Sequence, residues 1–125
     1  MMTKQQHIEH WVNTAEKSKT MLTQDAAIET ARNYTHDIET HGVFLHAAFL
    51  YGSFAKGTQH EWSDIDVALV ADDFTGLPED HYRFPYMGGI NKNYTLIETK
   101  TYPTDYFNQG DPFIEEIIRT GIKIK

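Results

Sequence analysis

Apolar residues recur three or four positions apart in residues 5–19, 23–42 and 111–121, which is the spacing of one face of an α-helix. The three apolar stripes consist of Ile8, Trp11, Val12 and Ala15; of Ala27, Ala31, Tyr34 and Ile38; and of Phe113, Ile114, Ile117 and Ile118. The pattern therefore predicts three helices. The second and third are expected to pack on the domain, and the first on the domain or on a partner.

Capping residues mark the ends of the second and third helices. Thr23 and Asp111 are suitable N-caps, and Pro112 fits the first helical position after Asp111. Gly42 and Gly121 follow the last apolar position of each helix, where glycine commonly ends helices. The boundaries of both helices are thus predicted from local chemistry as well as from periodicity.

Two apolar runs, residues 43–51 and 67–71, predict strands at 43–51 and 64–71 that are buried on both faces near the centre of a sheet. His46 interrupts the first run, and a hydrogen-bonded core histidine is a better interpretation than a ligand. Residues 94–102 alternate and are rich in β-forming residues, so they predict a third strand. Residues 122–125 alternate isoleucine with lysine and predict a short edge strand.

Length and composition indicate one globular domain. The 125-residue chain is predicted to be a single domain, with a helical extension at residues 1–22 and a core at residues 23–125. It has no cysteine, which excludes a disulfide framework and a thiolate metal site and fits a cytoplasmic protein. The first residues lack the apolar segment of a signal peptide, and no apolar run approaches the roughly 18 residues of a membrane helix.

The formal net charge of −7 argues against a polynucleotide substrate held by this chain alone. A protein that binds nucleic acid through its phosphates normally carries a basic patch, and here lysines cluster only at positions 17 and 19 and at positions 123 and 125. A metal-bound nucleoside triphosphate is compatible with the acidic chain, because the cations offset the charge of both the site and the ligand.

The candidate chemistry lies between the two apolar runs. Gly52 has no Cβ, so a triphosphate can approach the backbone there, and Ser53 stands where a short helix would begin. Asp64 and Asp66 are two apart on a predicted strand and therefore project from one face. Carboxylates at that spacing favour a cation between them, and Mg²⁺ (or Mn²⁺) suits an all-oxygen site beside phosphates. Each pair alone is typical of a turn or a strand edge; together and in this order they favour a metal–nucleotide site.

Three further residues of this stretch are candidate nucleotide contacts. Lys56 is as suited to contact a phosphate as to lie in solvent, and Thr58 and Ser63 are expected to fix the loop that positions the aspartates. Two other motifs do not match. A Walker A loop ends in Gly-Lys-Ser/Thr, whereas the order here is Lys-Gly-Thr, and a nucleophile elbow separates its glycine and serine, which are adjacent here.

Glu98, in the middle of the third predicted strand, is a candidate third carboxylate. It would bind a second metal and help deprotonate the attacking hydroxyl. The alternative is a surface ion pair with Lys92 or Lys100. Asp72 and Asp73 follow the second strand and are better interpreted as a turn than as further metal ligands.

Residues 74–92 predict a long loop, and a loop of this length is usually functional. Its aromatic and apolar side chains are candidates for contact with a base or a protein partner, and its basic side chains for contact with phosphates. The two sets are Tyr82, Phe84, Tyr86 and Met87, and His81 and Arg83.

Taken together, Gly52-Ser53, Lys56-Gly57-Thr58 and Ser63-Asp64-Ile65-Asp66 resemble the signature of the nucleotidyltransferase superfamily related to DNA polymerase beta. The likeness is strongest to its minimal nucleotidyltransferases, small one-domain proteins often encoded beside a helical HEPN partner. The order of flanking elements extends the likeness over most of residues 23–125. It implies an α/β (α+β) fold with a small mixed sheet, the aspartate strand near its centre, helices on one face, and the metal site on or near the open face.

The resemblance also implies an enzyme that transfers a nucleoside monophosphate from an NTP, with ATP as first choice, to an acceptor hydroxyl and releases pyrophosphate. On this hypothesis the catalytic metal ligands are Asp64, Asp66 and Glu98, and the nucleotide-binding residues are Gly52, Ser53, Lys56, Thr58 and Ser63. The superfamily often has aspartate where this chain has Glu98. The implied acceptor is a side chain of a HEPN-type toxin. The alternatives are a small-molecule acceptor such as an aminoglycoside, and a non-catalytic antitoxin that covers its partner.

Overall fold

The computed structural model of the protein describes residues 22–80 and 94–125, which form a four-stranded mixed sheet with helices on both faces. The elements are α1 (Gln24–Thr40), β1 (Ala47–Tyr51), α2 (Ser53–Lys56), β2 (Ile65–Ala71), β3 (Ile97–Pro103), α3 (Thr104–Gln109), α4 (Pro112–Thr120) and β4 (Ile122–Lys123). The strand order is β3-β2-β1-β4, with β1 antiparallel to β2 and β4, and β2 parallel to β3. The α+β class and the central aspartate strand are therefore confirmed. The predicted helix at 5–19 and positions 81–92 of the predicted loop lie outside the described residues.

Helix α1 follows its sequence pattern closely. The Thr23 hydroxyl accepts a hydrogen bond from the Ala26 N–H at 3.0 Å and caps the helix, as predicted. The whole predicted stripe is fully buried under the sheet, namely Ala27, Ala31, Tyr34 and Ile38. Gly42, with φ +104°, ends the helical segment where the sequence predicts a stop.

The first strand is shorter than its apolar run. It begins at Ala47, four residues later than predicted. Before it, Val43 and Leu45 enter the core, while Phe44 and His46 are exposed. The prediction of a core histidine is therefore wrong, because the alternation of this connecting segment turns His46 to solvent.

Both faces of the sheet are covered, which corrects the expectation that helices lie on one face only. On the first face, α1 and α2 pack against alternate residues of β1 and β2, including Ala48, Leu50, Val67 and Leu69. On the second face, α3 and α4 contribute Phe107, Ile114 and Ile117 against Ala47, Phe49, Ala68 and Val70. Central strands that are apolar on both sides need cover on both sides to keep that surface from water.

The sequence does not predict helix α3, because Pro103 is expected only to end the third strand. In the structure Pro103 is both the last residue of β3 and the N-cap of α3. Helix α4 begins as predicted, with Asp111 accepting from the Ile114 N–H at 2.7 Å, and it ends at Gly121. Its buried stripe is narrower than predicted. Ile114 and Ile117 are buried, whereas Phe113 and Ile118 are exposed.

The segment after β2 is anchored to β3 by one buried carboxylate. Asp80 accepts hydrogen bonds from the N–H and hydroxyl of Thr75, from the Gly76 N–H, and from the Thr101 hydroxyl at 2.6 Å. Burial by itself raises the pKa of Asp80, but the hydrogen bonds from Thr101, Thr75 and Gly76 outweigh it, so the net pKa lies below its ordinary value.

Replacing Asp80 with asparagine is expected to lower the free energy of unfolding by about 2–4 kcal/mol, because the amide nitrogen cannot accept from these buried donors. The matched control is Asp72→Asn, in the exposed turn after β2, which should change it by less than about 0.5 kcal/mol. Since folding lowers the pKa of Asp80, its contribution is present above the ordinary value of 3.8 and is lost as the pH falls through the folded value. Urea unfolding at pH 7 and pH 3 measures this; an equal difference between wild type and Asp80→Asn at both pH values would contradict it.

Within residues 22–80 and 94–125, no helix is both long and apolar enough to cross a membrane.

Candidate active site

The three candidate carboxylates meet at one end of the sheet. Asp66 lies on β2 and pairs with Tyr51 of β1 on one side and Glu98 of β3 on the other. Paired residues of neighbouring strands project from the same face, so Asp66 and Glu98 are neighbours on the face that carries α3 and α4. Asp64 is exposed immediately before β2. The fold therefore brings together an aspartate pair and a glutamate that lies 32 positions after the second aspartate.

The electrostatics of these residues reflect their closeness. Burial, then the charge of Glu98, then that of Asp64 raise the pKa of Asp66 to about 6. Burial and the charges of Asp66 and Glu98 raise the pKa of Tyr51 to about 12. The charges of Glu98 and Asp64 thus oppose that of Asp66 beside a neutral phenol, and a cation bound there would relieve the repulsion.

Gly52 makes room for the Asp66 carboxylate. A Cβ on Gly52 would stand 2.3 Å from Asp66 Oδ2, far inside van der Waals contact. Gly52 also has φ 77° and ψ −153°, a backbone conformation that is essentially restricted to glycine. The turn from β1 into α2, which begins at Ser53, is therefore in direct contact with the aspartate strand.

Lys56 forms an ion pair with a surface carboxylate. Its ammonium lies 3.1 Å from Glu116 of α4, and Glu116 also pairs with Arg119. Hydrogen bonds first from Lys56 and then from Arg119 lower the pKa of Glu116. This ion pair ties α2 to α4 on the surface of the protein.

The Ser63 side chain fixes the loop between α2 and β2, as the sequence predicts, whereas Thr58 takes part through its backbone N–H. The Ser63 hydroxyl accepts from the His60 N–H at 2.9 Å, and the Ser63 N–H donates to the His60 carbonyl. The Thr58 N–H donates to the Ser53 carbonyl at 3.0 Å. These hydrogen bonds stabilise the segment between α2 and β2, which ends at Asp64.

The donor set suits a hard divalent cation. Among residues 22–80 and 94–125, no cluster of three or more histidine, aspartate or glutamate side chains could by itself hold a metal ion. Mg²⁺ is usually bound by one or two carboxylates together with substrate phosphates and water, rather than by a complete protein cage. The carboxylate oxygens of Asp64 and Asp66, with Glu98 beside them, fit that mode of binding.

Two residues of this region are not singled out by the sequence. Tyr51 is the residue of β1 that pairs with Asp66 of β2. The sequence pattern assigns it only to a strand, next to the Gly52 turn. It offers Lys100 only as an ion-pair partner of Glu98; the Lys100 ammonium instead lies 5.4 Å from the Phe113 ring centroid and 5.9 Å from that of Tyr102. Lys92, the other suggested partner of Glu98, lies outside the described residues.

Comparison with known families agrees with this geometry. The family model described as "Polymerase beta, Nucleotidyltransferase" matches residues 35–125, which include all of the candidate residues. The chain belongs to this family and carries a nucleotidyltransferase domain.

Comparison with solved structures supports the fold. Four chains match, and one of them comes from a "Crystal structure of the toxin-antitoxin with AMP-PNP". That match has a TM-score of 0.53 and 18% sequence identity, and it covers 75% of this chain and 72% of the other. A comparison with curated proteins finds no match.

Proposed function

We propose that the protein transfers a nucleoside monophosphate from a metal-bound NTP, with ATP as the donor, to an acceptor hydroxyl on a HEPN-type toxin partner. The observation that carries the proposal is the pairing of Asp66 with Glu98 across β2 and β3, with Asp64 adjacent and Gly52 against the Asp66 carboxylate. Family membership supports the reaction type. The match to a toxin-antitoxin with AMP-PNP, an analogue of ATP, supports ATP as the donor and a toxin as the partner, and the HEPN type comes from the resemblance of the motif residues.

In the proposed reaction the acceptor oxygen attacks the α-phosphorus, and the bond between the α-phosphorus and the bridging oxygen breaks. The new product is a phosphodiester, and pyrophosphate leaves with the electron pair. Glu98, exposed on β3 beside Asp66, is suited to take the proton of the acceptor hydroxyl. A bound Mg²⁺ would neutralise charge that develops on the phosphates in the transition state.

Each remaining candidate residue has a defined part in this proposal. Asp64 and Asp66 hold the cation, and the turn at Gly52 and Ser53 receives the β- and γ-phosphates. The Lys56 ammonium pairs with Glu116 at 3.1 Å and has further N–H donors that can contact a phosphate. Thr58 and Ser63 act on the nucleotide indirectly, through the loop that positions Asp64.

Nucleotide binding is tested first by thermal unfolding with each NTP in the presence of Mg²⁺, of Mn²⁺ and of a chelator. Ligand at 100 times its Kd adds about 2.7 kcal/mol, which in a chain of this size raises Tm by roughly ten degrees. We expect ATP to give this shift with Mg²⁺ or Mn²⁺ and not with the chelator. Stabilisation by none of the NTPs, or equal stabilisation without metal, would overturn the proposed site.

Transfer is tested by coexpression with a HEPN-type toxin. We expect the intact mass of the toxin to increase by one or more nucleoside monophosphates and its toxicity to fall. Neutralisation that persists in Asp66→Asn without any change in toxin mass would show instead that the protein acts by covering its partner. Transfer to an aminoglycoside but not to the toxin would retain the chemistry and replace the acceptor.

A further inference from the structure

A recess beside β3 has aromatic walls and lies close to the three carboxylates. Its volume is about 350 Å³, which is sufficient for a small-molecule site. Its walls include residues of β3, of the segment after β2 and of the α3–α4 region, namely Gly76, Lys100, Tyr102, Tyr106, Asp111 and Phe113.

The recess continues the sheet face of the carboxylates. Glu98, Lys100 and Tyr102 alternate along β3 and so share one face, on which successive side chains are about 6.6 Å apart. The recess therefore begins one such step from Glu98, towards the C-terminal end of β3. Phe113 also connects it to the site, because its ring makes an edge contact with Tyr51 at a centroid distance of 5.7 Å.

The walls are suited to a planar ring with polar edges. Tyr106 and Phe113 are 45% and 46% exposed, so their rings are available for contact. The Lys100 ammonium lies between the rings of Phe113 and Tyr102 and can donate to a ring nitrogen or carbonyl. The buried Tyr102 hydroxyl has no hydrogen-bond partner in the described part of the chain, whereas such hydroxyls are normally satisfied.

We propose that this recess receives the base of the NTP, an inference that rests on the proposed function. In an in-line transfer the acceptor enters opposite the leaving pyrophosphate. With pyrophosphate at the Gly52–Ser53 turn and the α-phosphate at Asp66, that line runs across the strands from β1 to β3. The nucleoside is bonded to the α-phosphate through another oxygen and therefore lies to one side of that line. The recess lies to one side of the same line, along the strands towards the C-terminal end of β3.

The test compares MgATP with magnesium tripolyphosphate, which has the phosphates but no base, by calorimetric titration. Tyr106→Ala is expected to weaken MgATP binding by about tenfold through loss of stacking, and to leave tripolyphosphate binding unchanged. Tyr106→Phe is the matched control: it keeps the ring and loses only the hydroxyl bond to Asp111, so it should bind MgATP nearly as wild type does. Phe113→Ala, expected to act like Tyr106→Ala, provides an independent variant if Tyr106→Ala does not fold.

The outcomes separate this inference from the proposed function. Equal weakening of MgATP and tripolyphosphate in both alanine variants, or unchanged MgATP affinity in both, would overturn the base site. An unchanged MgATP affinity with a raised KM for the acceptor would assign the recess to the acceptor instead. The proposed function itself fails if the wild-type protein binds neither ligand. It also fails if Asp66→Asn binds both ligands as tightly as the wild-type protein does.

Discussion

Asp66→Asn is expected to lower nucleotidyl transfer by about 10³-fold or more and to abolish the metal-dependent stabilisation by ATP. The substitution keeps the shape of the side chain and removes the charge that would hold the cation at the α-phosphate, where charge develops in the transition state. Transfer is measured as pyrophosphate release or as mass added to the acceptor.

The same variant should not lose stability in the absence of nucleotide. Burial and the charges of Glu98 and Asp64 oppose the ionised form of Asp66, so the neutral amide removes a repulsion. Because Asp66 is only half-buried, solvent screening limits the gain to at most about 1 kcal/mol, which corresponds to a few degrees in Tm. Asp72→Asn, with the same charge change at the opposite end of β2, should retain full transfer activity. Transfer by Asp66→Asn within tenfold of wild type would contradict a metal role for Asp66.

Gly52→Ala is expected to reduce transfer by at least about 10²-fold and to lower the free energy of unfolding by about 2–4 kcal/mol. The new methyl group would occupy the position of the Asp66 carboxylate, at 2.3 Å from Oδ2, in a backbone conformation that alanine rarely adopts. Either the aspartate or the turn must move, and both belong to the proposed site. The measurements are urea unfolding and transfer under saturating ATP and Mg²⁺.

Gly57→Ala separates displacement of Asp66 from backbone strain alone. Gly57 also has a positive φ, +75°, but among the described residues beyond its chain neighbours no atom lies within 4 Å of the position that a Cβ would take. It should lose about 1–2 kcal/mol of stability and little activity. Equal loss of transfer in Gly52→Ala and Gly57→Ala would mean that the contact with Asp66 is not what makes glycine necessary at position 52.

Local sequence signals identified most of the elements because their causes are local. The stripe from Ala27 to Ile38, the Thr23 cap and the Asp111-Pro112 start each act within a few residues, and all three agree with the structure. The failures concern partners that are distant in sequence. Nothing near His46 indicates that it faces solvent, and the exposure of Phe113 depends on where α4 meets the sheet.

The candidate site divides in the same way. The Gly52-Ser53 pair and the Asp64-Ile65-Asp66 spacing lie close together along the chain, so their chemistry is visible in the sequence. The choice between Glu98 as a third carboxylate and as a surface ion pair depended on whether β3 pairs with β2, and in which register. A shift of one residue in that register would have turned Glu98 to the opposite face.

The sequence by itself determined the family, the aspartate strand and the ends of two helices, because motif spacing, periodicity and capping operate over short distances. Only the tertiary structure decided that Glu98 stands beside Asp66, that the Asp66 carboxylate fills the space left by Gly52, and that Lys56 pairs with Glu116. It also placed α3 and α4 on the second face and so formed the recess beside β3. These features depend on strand order and packing between distant segments, where burial of apolar surface on both faces of the sheet selects one arrangement.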